Sequence, residues 1–235
     1  MTVLAVPCIN RPDLLIRLIE SVDEPVTILV IDNSPDGSIG RAATGVYPKA
    51  AGAEIRVLWF PHNLGVAASW NLAIKYAPRD PFWLIANGDT ELAPGDLRNL
   101  MAEAAKGGPR WVGMNGDWRV FAITHECVRD VGLFDENYYP VYCEDVDYEH
   151  RCDLAGVEWY TIPGGASHWG SAAISSGYAL QNNRTYPANV EYHLQKWGSL
   201  PRHGEPNQSP FQDGGQHDEW ALDIDRWRDL SWEVP

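Results

Sequence analysis

Strand and helix signals alternate through the first half of the chain, and this alternation limits the fold more than any other feature. Residues 2–6 form a β-rich run stopped by Pro7, and Pro12–Ser21 (PDLLIRLIES) has helical apolar spacing with proline in its first turn, where a missing N–H costs nothing. A second strand, 26–31, ends in the turn-forming Asp32-Asn33-Ser34-Pro35-Asp36-Gly37. A third, 55–60, leads through Pro61-His62-Asn63-Leu64-Gly65 into a helix over Val66–Tyr76, and a fourth, Phe82–Ala86, precedes a helix over 94–106. Four rounds of strand, polar turn and helix predict an α/β fold with a Rossmann-like, mostly parallel central sheet and helices on both faces. Ligands of such sheets gather beyond the carboxyl ends of the strands, so the turns after Val6, Ile31, Phe60 and Ala86 should converge on one site.

The pattern changes near residue 110. Strands over 111–114 and 118–123, split by Asn115-Gly116-Asp117, predict a small antiparallel subregion. A short helix near 124–131, a strand over 157–162 and a loop holding His168 follow. A last helix over about 178–197 contains Pro187, which should interrupt or kink it. These signals divide the chain into a domain over 1–197, with halves at 1–110 and 111–197, and an irregular C-terminal extension over 198–235 with one short helix near 219–230.

Charge and cysteine usage exclude several classes of function. A formal net charge of −14 makes the surface repel polyanions, so stable binding to nucleic acid or to an anionic membrane is not expected. Any phosphate bound here needs a local site or a metal. Cys8, Cys127, Cys143 and Cys152 show no CxxC pair and no short metal-ligand spacing, which suits reduced, buried thiols of a cytoplasmic protein. No run approaches the roughly 20 apolar residues of a membrane span, and MTVLAVPCINRPDLL does not read as a secretory leader.

Three stretches carry chemistry beyond architecture. In Asn87-Gly88-Asp89 a carboxylate ends a buried strand, where it can hold a hard divalent cation facing a diphosphate; the plainer alternative is a turn that caps the next helix. In Tyr142-Cys143-Glu144-Asp145-Val146-Asp147-Tyr148 the acids suit a helix N-terminus, yet three within four positions repel one another. Such crowding raises the pKa of at least one of them towards the range of a general base. In Ser167-His168-Trp169-Gly170-Ser171 the histidine is either structural or a partner for a metal on Asp89. Trp118, Tyr138, Tyr139, Trp159 and Trp169 are candidates to stack on a sugar ring, although aromatic residues at this density more often build the core.

In order, VPCINRPDLLIRLIESV, ILVIDNSPDGS, HNLGVAASWNLAI, WLIANGDTEL, GLFDENYYPVYCEDVDYEHRCDLAG and SHWGSAA resemble a family 2 glycosyltransferase of the GT-A fold, over about residues 3–175. The run NNRTYPANVEYHLQKWG resembles the tyrosine-rich helix ending in KWG of bacterial and phage members. The resemblance implies inverting transfer of a sugar from a nucleoside-diphosphate sugar to an acceptor hydroxyl, assisted by Mn²⁺ or Mg²⁺. A glycan, a lipid-linked sugar, a protein or a modified base all qualify as acceptor.

By the same resemblance, Pro7, Asn10 and Arg11 line the nucleotide, and Asp32 accepts a hydrogen bond from the base. Asn63, Gly65 and Asn71 close over nucleotide and sugar, Asp89 is the last acid of the metal-binding DxD element, and His168 completes the metal site. Asp145 is the general base and Glu144 positions the acceptor. One departure stands out: Asn87 replaces the usual acid two positions before Asp89, so with Gly88 it can hold a ribose but gives the metal no carboxylate. Two alternatives have other signatures. A nucleotidyltransferase acting on sugar phosphates needs a glycine-rich basic loop where this chain has CINRPD, and a non-catalytic nucleotide-sugar- or glycan-binding protein has no need of Glu144-Asp145.

Overall fold

Successive residues of β1 (Val3–Cys8), β2 (Thr27–Asp32) and β4 (Phe82–Ala86) point to opposite faces of the sheet, and both faces are apolar. Leu4, Val6, Ile28, Val30, Leu84 and Ala86 pack on one side, against Leu15, Leu18 and Ile19 of α1 (Pro12–Ser21) and Leu97 and Leu100 of α4 (Asp96–Ala104). Val3, Ala5, Leu29, Ile31, Trp83 and Ile85 pack on the other, against Ala67, Trp70, Ala73 and Ile74 of α3 (Val66–Tyr76). Helices on both faces are what bury such a sheet. The structure, a computed structural model, describes residues 2–212, so the helix expected near 219–230 lies outside the described residues.

The remaining elements are α2 (Ser38–Ala43), β3 (Glu54–Trp59), β5 (Thr90–Glu91), β6 (Arg110–Met114), β7 (Val120–Thr124), α5 (His125–Val131), α6 (Glu144–Ala155), β8 (Glu158–Ile162), β9 (Ser167–His168) and α7 (Ala179–Trp197). The main sheet has the order β3-β2-β1-β4-β7-β6-β8, with β7 antiparallel to both neighbours and every other pairing parallel. The expected mostly parallel sheet with a small antiparallel region is therefore present. Asn115 and Gly116, both left-handed, turn the chain between β6 and β7.

One expectation is corrected. The helix containing Pro187 is not interrupted there: α7 runs through it, and the break lies at Gly177 (φ 141°), inside a π-helical turn over Ile174–Tyr178. Buried Asn189, Tyr192, His193, Lys196 and Trp197 fix the helix beyond the proline, which outweighs the one backbone bond that proline removes. The described part of the extension is irregular but anchored. Asn207 N–H donates to Trp197 O and Phe211 N–H to Lys196 O, both at 2.8 Å, while Phe211 is buried against Tyr192.

Candidate active site

The turns after β1, β2, β3 and β4 meet, as their topology requires, in a cleft of about 510 Å³ at the carboxyl edge of the sheet. Pro7, Asn10, Arg11, Asn63, Gly65, Asn87, Gly88, Asp89, Glu144, Asp145 and His168 all line it. Gly88 is dictated by close approach, because a Cβ there would fall 2.1 Å from Cys8 Sγ and 3.1 Å from Pro7 O. Gly65 is fixed doubly, by its φ of 82° and by Tyr139, whose ring would lie 2.9 Å from an added Cβ.

Asp89 and His168 are brought together by a two-stranded sheet that the sequence did not suggest. β5 pairs antiparallel with β9 so that Thr90 opposes His168, and His168 Nε2 comes to 3.1 Å from Asp89 Oδ1. Gly170 N–H donates to His168 Nδ1 at 3.2 Å, so in the neutral ring Nε2 carries the proton that faces Asp89. Asp89 Oδ2 accepts from Ala172 N–H at 3.0 Å. A carboxylate and an imidazole at this separation would fit a hard divalent cation as two protein ligands once the ring takes the other tautomer and gives up its bond from Gly170 N–H. Among the described residues no cluster of three His, Cys, Asp or Glu side chains surrounds that point, so further ligands would come from phosphate oxygens and water.

The opposite wall is the start of α6. Tyr142 and Cys143 both have φ of 78°, an uncommon left-handed pair immediately before Glu144. Asn189 Nδ2 of α7 holds this turn by donating to Val141 O and Tyr142 O at 3.0 Å each. The three acids then have three environments. Glu144 is buried, and burial, with Asp145 adding to it, raises its pKa well above the usual carboxyl range. Asp145 is partly exposed in the cleft, and its Oδ2 accepts from Arg202 at 3.0 Å. Asp147 is fully buried away from the cleft; burial opposes its charge, but Lys196 at 2.8 Å and Arg151 at 2.9 Å outweigh that and hold its pKa below the usual range. The raised carboxyl is Glu144, and burial raises it more than the neighbouring acid does.

Two residues expected in the site lie outside the cleft. Asp32 is fully buried, accepting from Ser34 N–H and Gly40 N–H at 2.8 Å each, so its carboxylate ties β2 to α2. Its neighbour Asn33 lines the cleft instead, bonded to Ser69 and Leu64 N–H. Asn71 is buried and clamps the 134–136 loop, accepting from Phe134 N–H and donating to Phe134 O and Glu136. Of the aromatic candidates, Trp118 lines the cleft, whereas Tyr138 and Tyr139 are core. Arg119 and Arg202 also line it; neither carries a local sequence signal, since each arrives through a turn whose geometry only the folded chain reveals.

A model of one protein family, glycosyl transferase family 2, matches residues 3–125, just over half of the 235 residues. The chain belongs to glycosyl transferase family 2. A galactofuranosyl glycosyltransferase from Leishmania donovani is 31% identical over 137 residues, 48% of this chain and 31% of that protein, so this family 2 chain spans about a third of that relative's length. Among solved structures, mannosyltransferase PcManGT from Pyrobaculum calidifontis, in complex with GDP-Man and Mn²⁺, superposes with a TM-score of 0.56 at 16% identity, covering 87% of this chain and 65% of that one. Glucosyl-3-phosphoglycerate synthase from Mycobacterium tuberculosis, in complex with Mg²⁺ and UDP, gives 0.53 at 15% identity, covering 80% and 79%. The family 2 chain thus has the GT-A fold. No helix among the described residues is long and apolar enough to cross a membrane.

Proposed function

We propose that the protein transfers a sugar from a nucleoside-diphosphate sugar to an acceptor hydroxyl with inversion, using Asp145 as general base. The observation that carries this reading is the shared cleft: Asp145 opens onto the same space as the Asp89 and His168 pair, from the opposite wall. Family membership supports it, as do neighbours of the same fold solved with GDP-Man and with UDP.

Asp145 Oδ1, the oxygen not taken by Arg202, accepts the proton of the acceptor hydroxyl while that oxygen forms its bond to the anomeric carbon. The bond from that carbon to the diphosphate breaks in the same displacement, and the nucleoside diphosphate leaves. Glu144, whose pKa burial raises well above the usual carboxyl range, lines the cleft beside Asp145 and orients the acceptor. Asn10 and Asn63 line the cleft as neutral polar groups for base and ribose. Asp89 and His168 would hold a divalent cation, which would supply charge neutralisation at the leaving diphosphate.

Calorimetric titration with UDP, GDP and dTDP in the presence of Mn²⁺ tests the donor site; no binding to any of them refutes the reading. Asp145→Asn should keep nucleotide affinity within about twofold and lower transfer or donor hydrolysis by roughly 10²–10⁴. Full turnover in that variant would remove Asp145 from the mechanism.

A further inference from the structure

Asn87, the residue that departs from the family pattern, has a specific neighbour. The β4–β7 ladder pairs Ala86 with Val120, and Asn87 N–H donates to Arg119 O at 2.8 Å, which continues the register by one rung. Arg119 is therefore the residue directly opposite Asn87, and side chains so paired leave the same face with Cβ atoms about 4.5–5.5 Å apart. The position that lacks an acid faces an arginine.

That arginine is aimed and unsaturated. Its Nε and Nη2 both pair with Asp117 Oδ2, and Asp117 Oδ1 accepts from Arg119 N–H at 2.8 Å, which fixes the guanidinium against its own turn. Nη1 has no partner among the described residues, and the side chain is 42% exposed on the cleft wall. The Asn87 amide likewise has no side-chain partner among the described residues. Asp89 acts electrostatically on Arg119 and on Arg11, so both guanidiniums lie near the carboxylate that would face the phosphates. An acid at 87 would pair with Arg119 across the strands; asparagine leaves its remaining N–H donors free.

We propose that Arg119 binds the diphosphate of the sugar donor, placing a fixed positive charge at the phosphates where the family pattern has a second carboxylate. The inference rests on the glycosyltransferase reading of the cleft. A guanidinium presents paired donors whose spacing matches phosphate oxygens, and in a chain of net charge −14 such a local cation is what lets a polyanionic leaving group approach. Metal dependence then becomes weaker than in a site with two carboxylates, because part of the neutralisation comes from the chain.

The test is calorimetry on the full chain with UDP, GDP and their monophosphates, each with Mn²⁺ and with EDTA. Wild type should retain measurable diphosphate affinity in EDTA. Arg119→Ala should weaken diphosphate binding roughly 10–100-fold while changing monophosphate binding by less than about twofold, with Arg119→Lys in between. Asn87→Asp, which leaves Arg119 in place but gives it a second carboxylate partner beside Asp117, should lower affinity in EDTA and widen the gap between Mn²⁺ and EDTA. Diphosphate affinity unchanged in Arg119→Ala, or an EDTA affinity unchanged in Asn87→Asp, overturns the inference while leaving the glycosyltransferase reading intact. A wild type that binds none of the nucleotides overturns both.

Discussion

Glu144 and Asp145 are chemically alike and adjacent in sequence, yet the helix start gives them different environments. Glu144 is buried in the cleft wall and has an oxygen with no partner among the described residues; Asp145 is more exposed in the cleft and meets Arg202. A carboxyl whose folded pKa exceeds its unfolded value near 4.5 adds stability only below that value, and the contribution is lost as pH rises through the folded pKa. Glu144 thus destabilises the fold at neutral pH, a cost expected of a functional group. Glu144→Gln should melt close to wild type near pH 5 and above it near pH 8, by differential scanning calorimetry. A gap that stays flat across that range would show that Glu144 is not held protonated. The crowding of acids was legible in the sequence. Which acid is raised was not, because burial in the folded chain decides it.

At the scale of elements, α7 shows why a helix that looks peripheral in sequence sets the site. Lys196 Nζ bridges Asp135 and Asp147 at 2.8 Å each, and Trp197 Nε1 donates to Asp147 at 2.8 Å. The Lys196-Trp197-Gly198 run therefore fastens α7 to α6, and Gly198, left-handed at φ 71°, ends the helix. Removing one partner from such a buried network strands the remaining charges. Lys196→Met should cost about 3–5 kcal/mol in urea unfolding. Wild-type stability in place of that loss would mean the network is not what anchors α7. The network also sets the acid response. His193, whose Nδ1 lies 3.0 Å from Tyr138 OH, is pushed down to about 4 by burial, so it binds a proton more readily unfolded than folded. Its contribution is present above about 6.5 and is lost as pH falls towards 4; that of Asp147, whose pKa is also depressed, is lost only below about 3.8. His193→Gln should flatten the stability profile between pH 6.5 and 4, and an unchanged slope there would exclude His193 as its source. Sequence pattern marked this helix, but the long-range pairing of residues 135, 147 and 196 has no periodic signature.

At the scale of the molecule, the alternation of apolar runs and polar turns was enough to place the cleft, because a parallel sheet with both faces covered leaves its polar groups only at the strand ends. What the pattern could not supply was the far wall. β5 and β9 are two residues each, too short for any period to register, yet they carry His168 back to Asp89. The segment that follows crosses the donor side: Asn10 Nδ2 donates to Ala173 O at 2.9 Å and to Ser176 O at 3.4 Å, and Tyr142 OH lies 3.1 Å from Ser171 Oγ. A nucleotide in the cleft would therefore touch both the strand-end turns and the 169–178 segment, coupling local order to binding. At 100 times the dissociation constant a ligand adds about 2.7 kcal/mol, which for a chain of this size raises the melting temperature by roughly 5–10 °C. The same ligand should slow proteolytic cutting within 169–178, where Gly177 breaks the helix and Trp169 is exposed. Asp89→Ala should reduce both effects together, since the Asp89 carboxylate accepts from Ala172 N–H and, on the proposed reading, would face the phosphates. If nucleotide raised the melting temperature without protecting that segment, the cleft would be filled from the sheet edge alone, and the 169–178 segment would have no part in holding the donor.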